Sequence, residues 1–456
     1  MRRLGLGLLL VLLLVGALAA AHGPTTDYAA APAAADPEKR AVREIERLLD
    51  DGQFAAPHGW RLVVSRPEIS PEARVDDNVG HRGPSALVLA GKGNPDAAGY
   101  WEKEVEIKTQ KHYRLTAFYQ PRDVPHPRQT IHARVDWQDA AGERVGYPDY
   151  IAESYRDGSW RRVDRVLQAP DGAKKARIQL VFQWCAAGQV WWDDVRFSSV
   201  TPPAPRKVRV ATIFHRPSGL KSAAENIESF AAVIEKAAES HPDIICLPEG
   251  MTIVGTRLKY AAVAEPIPGP STQRLSELAR KHKTYLVAGL LEREGASVFN
   301  TSVLIDRDGK LAGKYRKVYL PREEVEGGIT PGSDFPVFDT DFGRVGMMIC
   351  YDSFFVDPAR ALAARGAEII LMPIWGGDEL LVRARALENH LTLVTSSYDM
   401  RTGVVDPLGK FVASADASNP IAIAEVDLDA VLIEKWLGDM RGRFRAELRD
   451  DVPLKP

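Results

Sequence analysis

The sequence predicts an all-β sandwich followed by an α/β domain, and three observations support this division. From about residue 60 to residue 200, short β-rich stretches such as ARIQLVFQW recur between turn signals, and no segment of helical period interrupts them. A short amphipathic helix is predicted before them, over AVREIERLLDD at 41–51. The prolines of TPPAPRK, at 201–207, cannot continue a central strand and mark a boundary. After residue 207, apolar strands alternate with helical segments, which is typical of an α/β domain. The 456 residues suffice for two or three domains.

The N-terminal segment has the pattern of a secretory signal. Two arginines precede a leucine-rich run, and alanines stand where a signal peptidase would cut. We therefore predict a signal peptide over residues 1–21 and export to the periplasm or the extracellular space. The alternative is an uncleaved membrane anchor, because residues 4–21 approach the length that spans a bilayer. Residues 22–38 are small and proline-rich, which predicts a linker.

The predicted sandwich, residues 39–200, contains seven of the nine tryptophans. Large aromatic side chains most often form the core and rim of a sandwich, but they also stack on the apolar face of a sugar ring. The closing stretch GQVWWDDVRF is similar to jelly-roll carbohydrate-binding modules that accompany secreted glycoside hydrolases. That resemblance implies carbohydrate as a partner of this domain, with a purely structural role as the alternative.

Composition argues against several other classes. The formal net charge is -2 and no basic stripe is evident, so we expect no nucleic-acid partner. The ten histidines show no metal-ligating spacing, and no phosphate-binding loop is present. We therefore expect no metal and no cofactor.

Three strands of the predicted α/β domain are each followed by a charged or reactive side chain that could take part in catalysis. ICLPEG ends near Glu249, GKYRKVYLP presents Lys317, and GMMICYD leads to Cys350. Taken singly, these residues have ordinary explanations: a solvated loop carboxylate, a surface ammonium group and a small buried thiol. Together they supply a nucleophile, a general base and a positive charge for a developing oxyanion.

The order and separation of these motifs resemble the nitrilase superfamily of carbon-nitrogen hydrolases over roughly residues 207–437. The resemblance implies an αββα domain over residues 207–445, a homodimer or higher oligomer, and hydrolysis of a non-peptide carbon-nitrogen bond without a cofactor. It assigns Cys350 as nucleophile, Glu249 as general base and Lys317 as oxyanion donor. The backbone N–H of Tyr351 would be a second donor.

The substrate predicted from the resemblance is a small amide or carbamoyl compound. Members that act on nitriles usually have tryptophan directly after the cysteine, where this chain has Tyr351. Nitrile hydrolysis and acyl transfer are the alternatives within the superfamily, and a catalytically silent carbohydrate-binding or scaffold protein is the alternative outside it. Tyr319 stands where the family commonly has histidine, so we expect the shape or polarity of the pocket wall to differ from that of other members.

Further residues are expected to assist. Many members carry a second glutamate between the lysine and cysteine motifs, and PREEVEGG offers Glu326 and Glu324, preferred in that order, and Glu323. Trp375 and Tyr398 follow later strands and are candidates for the pocket lining. The two other cysteines should be buried or out of reach of Cys350.

Overall fold

The computed structural model describes residues 59–151, 154–434 and 437–449. The predicted signal peptide and linker, together with residues 39–58 of the predicted β domain, lie outside the described residues. Within the described ranges, no helix is both long and apolar enough to cross a membrane.

The N-terminal part is β-rich, and its strands form two antiparallel sheets. In chain order the strands are β1 (Arg61–Val63), β2 (Glu72–Asp76), β3 (Ala86–Ala90), β4 (Ala98–Glu106), β5 (His112–Arg122), β6 (Ile131–Gln138), β7 (Asp149–Ile151), β8 (Tyr155–Asp157), β9 (Trp160–Gln168), β10 (Lys175–Gln183) and β11 (Gln189–Val200). A five-stranded sheet has the order β1-β4-β10-β6-β7, and a six-stranded sheet has the order β2-β3-β11-β5-β9-β8. A short helix, α1 (Pro127–Thr130), precedes β6.

Both sheets contribute to one apolar core, because alternate residues of each strand point to the same side. Most of the tryptophans belong to the interior of this β domain. The buried ones are Trp101, Trp137, Trp160, Trp191 and Trp192. Trp184 differs, since 60% of it is exposed. The prediction of an N-terminal β domain is confirmed, and its assignment as a jelly-roll carbohydrate-binding module stays a prediction.

From residue 207 onward the chain alternates between strands and helices, as predicted. The strands are β12 (Lys207–Ile213), β13 (Ile244–Cys246), β14 (Tyr285–Glu294), β15 (Ser297–Ile305), β16 (Leu311–Arg316), β17 (Val337–Asp339), β18 (Arg344–Met347), β19 (Ile369–Pro373), β20 (Thr392–Ser396), β21 (Thr402–Val405), β22 (Phe411–Ala415), β23 (Ile421–Asp427), β24 (Ile433–Glu434) and β25 (Gly438–Asp439). The helices are α2 (Ala223–Ala238), α3 (Tyr260–Val263), α4 (Pro270–His282), α5 (Arg322–Glu326), α6 (Asp357–Ala364), α7 (Glu379–Asn389) and α8 (Met440–Glu447).

Two six-stranded sheets organise this part, with the orders β16-β15-β14-β13-β12-β23 and β17-β18-β19-β20-β21-β22. One apolar cluster joins α2 and α4 to the first sheet, a second lies between the two sheets, and a third joins α6 and α7 to the second sheet. In α2, Ile227, Phe230 and Ile234 share one helix face, which explains its packing on the sheet. The αββα layer order predicted for this domain is compatible with these contacts.

Strand direction explains where the candidate residues meet. Strands β12, β13 and β14 run parallel, as do β18, β19 and β20, so within each group the carboxyl ends lie at one edge. Strand β16 returns to that direction after two antiparallel pairings. Glu249 and Lys317 therefore follow carboxyl ends at one edge of the first sheet, and Cys350 follows a carboxyl end of the second.

Candidate active site

Glu249 is held close to the backbone of a neighbouring strand. It follows β13 by three residues, and only 3% of it is exposed. Its backbone oxygen accepts a 2.9 Å hydrogen bond from the hydroxyl of Tyr398. Gly289 in β14 permits the close approach, since a Cβ atom there would lie 2.6 Å from the Glu249 Cα atom. These contacts fix the position of the Glu249 backbone, from which the side chain projects.

Lys317 is almost fully buried and bridges two carboxylates. Its Nζ atom lies 2.8 Å from Glu249 Oε1 and 2.9 Å from Glu324 Oε1. Burial alone lowers the pKa of this ammonium group, but Glu249, Cys350 and Glu324 outweigh it and raise the pKa of Lys317 above its usual value. Lys317 therefore carries a positive charge throughout the physiological range.

The three acidic residues of the α5 segment occupy different places. Glu324 is buried beside Lys317, whereas Glu326 is exposed and pairs with Arg322 at 2.7 Å. Glu323 is also exposed and lies at the pocket wall. The order of preference predicted from sequence placed Glu326 first, but the structure brings Glu324 to the lysine. Burial raises the pKa of Glu324 to about 7, with Glu249 adding to the effect and Lys317 opposing it.

Asn300, in β15, was not found from the sequence and completes the cluster. Its Nδ2 atom donates to Glu249 Oε1 and to Glu324 Oε1, at 2.7 Å in both cases. One amide and one ammonium group thus hold two carboxylates that would otherwise repel each other. In the stretch SVFNTSVLID, Asn300 is the first of three consecutive polar residues in an otherwise largely apolar strand, and nothing in that pattern distinguishes it from Thr301 and Ser302.

Glu249 and Glu324 each have one carboxylate oxygen that is free to accept a hydrogen bond or a proton. Among the residues that the structure describes, Glu249 Oε2 and Glu324 Oε2 are buried atoms without a hydrogen-bond partner, and so is Asn300 Oδ1. Buried polar atoms are normally paired, so unpaired ones need an explanation. All three residues line the same pocket, where a thiol, a water molecule or a substrate would supply partners.

Cys350 lies three residues after the end of β18, begins a 3-10 turn, Cys350–Phe354, and has a left-handed backbone with φ of 43°. A non-glycine residue in this region is uncommon and often marks a functional position. Its Sγ atom donates to the carbonyl oxygen of Gly376 at 3.2 Å. Burial and the charge of Glu249 raise the pKa of the thiol to about 12, while Lys317 lowers it. Cys350 is consequently a thiol at neutral pH and needs a base before it can act.

Asp352 holds the cysteine turn in place. Its Oδ2 atom accepts from the hydroxyl of Tyr315 at 2.7 Å and from the backbone N–H of Ile349 at 2.9 Å. Its Oδ1 atom accepts from the backbone N–H of Tyr319 at 3.0 Å. Asp352 thereby connects the turn to the lysine segment. Burial raises the pKa of Asp352 to about 6.

A pocket of about 1030 Å³ is lined by Glu249, Asn300, Lys317, Glu324 and Cys350. Tyr351 and Trp375 both line it, together with Phe354 and Leu258. The Trp375 ring packs edge-on against Tyr398, with ring centroids 5.1 Å apart. Tyr319, the departure from the family pattern, donates to Asp357 at 3.2 Å and lies outside the described pocket lining.

The remaining cysteines are buried, as expected. Cys185 lies in the β domain and Cys246 lies in β13, and neither forms a disulfide. Burial raises the pKa of the Cys246 thiol. Cys350 is the only one of the three that lines the pocket described above.

Comparison with known proteins defines the class of this fold and site. Residues 209–432 match a family model described as carbon-nitrogen hydrolase. The chain is 32% identical to the omega-amidase NIT2 of Homo sapiens over 272 residues, which cover 54% of this chain and 93% of that protein. It therefore belongs to the carbon-nitrogen hydrolase family, within the nitrilase superfamily, as the motifs predicted.

Other relatives match a similar share of the chain. Hydrolase C26A3.11 of Schizosaccharomyces pombe is 30% identical over 262 residues, covering 51% of this chain and 81% of that protein. Among solved structures, Nit3 of Saccharomyces cerevisiae, a member of branch 10 of the nitrilase superfamily, aligns with a TM-score of 0.44 and 29% identity. That alignment covers 48% of this chain and 90% of the yeast chain.

Proposed function

We propose that this protein hydrolyses the carbon-nitrogen bond of a small amide or N-carbamoyl compound through a thioester on Cys350. The observation that carries the proposal is the buried bridge from Lys317 to Glu249 and Glu324 beside the cysteine. This arrangement provides a fixed positive charge and a free carboxylate oxygen in the same pocket. The names of the omega-amidase relatives support amides as the substrate class.

The first half of the reaction forms the thioester. Glu249 Oε2 takes the proton of the Cys350 thiol as the sulfur attacks the carbonyl carbon. Lys317 and the backbone N–H of Tyr351 stabilise the oxyanion of the tetrahedral intermediate. The intermediate then collapses, Glu249 returns the proton to the departing nitrogen, and ammonia or an amine leaves.

The second half regenerates the thiol. Glu249 removes a proton from a water molecule, whose oxygen attacks the thioester carbonyl. Collapse of the second tetrahedral intermediate releases the acid, and the proton held by Glu249 returns to the sulfur of Cys350. Glu324 and Asn300 keep Lys317 and Glu249 in position during both halves.

The shape of the pocket supports a substrate with an apolar portion. Leu258 and Phe354 line the pocket and remain 42% and 45% exposed. Large exposed apolar side chains beside a polar cluster are typical of a site that holds an organic group next to the reacting atoms.

The test is release of ammonia from a panel of amides and carbamoyl compounds by the full chain. We expect activity on at least one small amide, loss of activity in Cys350→Ala, and retention in the matched variant Cys185→Ala. Equal background release by wild type and Cys350→Ala over the whole panel would instead favour the scaffold or binding alternative.

Three further properties belong to the proposal. We propose export through residues 1–21, a homodimer or higher oligomer, and a carbohydrate contact of the β domain. Exposed Trp184 is the candidate for stacking on a sugar, because its left-handed backbone, with φ of 57°, is costly for a bulky residue. Binding to a panel of insoluble polysaccharides, compared between wild type and Trp184→Ala, tests this contact.

A further inference from the structure

A second cleft, away from the cysteine pocket, is lined mainly by arginine. It has a volume of about 800 Å³ and is bounded by residues of the N-terminal β domain and of the hydrolase domain. All the basic residues of the lining are arginines, and they number eight: Arg114, Arg128, Arg161, Arg162, Arg165, Arg206, Arg344 and Arg365. The lining contains three carboxylates: Asp164, Asp339 and Glu368.

Most of these arginines are neutralised by nearby carboxylates. Within the β domain, Arg114 and Arg162 share Asp164 at 2.5 and 3.3 Å. Arg165, also in the β domain, pairs with Asp439 of β25 in the C-terminal part. Six arginines and six carboxylates are matched in this way, counting both the lining and its immediate surroundings. The other pairs are Arg206, in the boundary segment 201–207, with Glu368 and Asp429, and, in the hydrolase domain, Arg344 with Asp339 and Arg365 with Asp334.

Arg128 and Arg161 are the exceptions. In the part of the chain that the structure describes, neither has a carboxylate within ion-pair distance. Arg128 donates to the backbone oxygen of Ala364, at the end of α6, at 2.6 Å. Arg161 lies opposite Tyr119 on the neighbouring strand. Burial raises the pKa of the Tyr119 hydroxyl, and the positive charges of Arg161 and Arg128 oppose that rise. The same hydroxyl lies 3.0 Å from Ser154 Oγ. Two uncompensated positive charges thus lie close to two hydroxyl groups.

Uncompensated like charges in a cleft favour an anionic ligand. A cleft focuses the electrostatic potential of its lining and raises the local concentration of counter-ions. Guanidinium groups are planar, weakly hydrated and able to make paired hydrogen bonds to carboxylate or phosphate oxygens. Lysine, a more strongly hydrated point charge, is absent from the lining.

We propose that this cleft binds a small anion with at least two negative charges, which contacts Arg128 and Arg161 and lies between the two domains. The ligand chemistry is that of clustered oxyanions, either phosphate or carboxylate. Because Arg128 also binds the end of α6, the anion would strengthen the contact between the β domain and the hydrolase domain. The proposal does not depend on the function of Cys350.

Calorimetric titration of the full chain with inorganic pyrophosphate and, separately, with citrate tests the proposal. We expect saturable binding of at least one probe, weakened about tenfold or more in Arg128→Gln/Arg161→Gln, because charge-assisted hydrogen bonds are lost. Arg274→Gln, which changes a partly exposed arginine on α4, is the matched control and should bind like wild type. Cys350→Ala should also bind like wild type.

The two probes separate the sources of the anion. Binding of pyrophosphate alone supports a phosphate ligand, binding of citrate alone supports a carboxylate ligand, and binding of both supports a general oxyanion site. Absence of binding by wild type at about 0.1 M salt, or equal affinity in wild type and the double variant, overturns the proposal. If the double variant does not fold, Arg161→Gln with an unchanged melting temperature serves in its place, and the same comparison decides.

Discussion

The Nζ atom of Lys317 lies 2.8 Å from Glu249 Oε1, and both side chains are withdrawn almost completely from solvent. Taking two opposite charges out of water is costly, and their attraction compensates only when the geometry is good and further hydrogen bonds are present. Here Asn300 and Glu324 provide those hydrogen bonds. These contacts therefore fix the position of the Lys317 ammonium group in the pocket that Cys350 also lines.

Removing the ammonium group should be destabilising as well as inactivating. In Lys317→Met two carboxylates lose their shared cation in a buried site, so we expect the free energy of unfolding to fall by about 3 to 5 kcal/mol. Activity should fall by at least about 10² because the oxyanion loses a donor. Urea denaturation and ammonia release measure the two effects.

An exposed pair provides the control for Lys317. Lys281 lies 2.7 Å from Glu235 on the surface, and its side chain is 61% exposed. Lys281→Met should change the free energy of unfolding by no more than about 1 kcal/mol. Similar losses of stability in Lys317→Met and Lys281→Met would show that the buried ion pair contributes no more to the free energy of unfolding than the exposed one.

Asn300→Ala should impair catalysis although Asn300 does not take part in proton transfer. Without its amide, Glu249 and Glu324 keep only Lys317 between them, so both carboxylates should shift. We expect kcat/KM to fall by about 10 to 100-fold, equivalent to roughly 1.4 to 2.7 kcal/mol of transition-state stabilisation. Ser302→Ala, on the same strand, removes only a contact to Met347 and should retain activity. Comparable rates for the two variants would contradict the positioning role.

The motifs made much of this site predictable, because each ends a strand that brings it to a common edge. Two features were not predictable from spacing. Asn300 contacts Glu249 from a different strand. Strand order and register decide which residues of different strands meet, and neither can be read from a single sequence. Glu324 and Glu326 are two residues apart on a five-residue helix, so they point to nearly opposite sides, and sequence alone does not orient that helix.

Glu324 should give stability a distinctive dependence on pH. Burial raises the pKa of Glu324 from 4.5 to about 7, so the folded protein holds this proton more tightly than the unfolded chain does. Protonation of Glu324 therefore adds to the free energy of unfolding. This stabilisation is fully present below pH 4.5 and is lost as the pH rises through about 7, by no more than about 3 kcal/mol. Denaturant titrations over this range should show the loss in wild type.

Two variants isolate that contribution. Glu324→Gln cannot titrate, so its stability should depend less on pH between 4.5 and 7 than that of wild type. Glu326→Gln removes an exposed carboxylate of the same helix and should leave the wild-type profile unchanged. Parallel profiles for wild type and Glu324→Gln would rule out a raised pKa at this residue.

Gly289→Ala should disturb Glu249 through the backbone alone. The added Cβ atom would lie 2.6 Å from Glu249 Cα and 2.9 Å from the carbonyl oxygen of Pro248, so β13 and its extension must move. We expect a loss of about 1 to 3 kcal/mol in the free energy of unfolding and a clear loss of activity. Gly83→Ala, where no atom lies within 4 Å of the new Cβ, should have little effect. A fully active Gly289→Ala enzyme would show that this close approach is unimportant.

The most direct test of the proposed chemistry is mass spectrometry of the protein trapped by acid during turnover of an amide. The thioester mechanism predicts that wild type gains the mass of the acyl group on the peptide that contains Cys350, whereas the peptides of Cys185 and Cys246 remain unmodified. It also predicts that Cys350→Ala shows neither the adduct nor ammonia release. Ammonia release by Cys350→Ala at the wild-type rate, with no adduct on Cys350 in wild type, would contradict the mechanism.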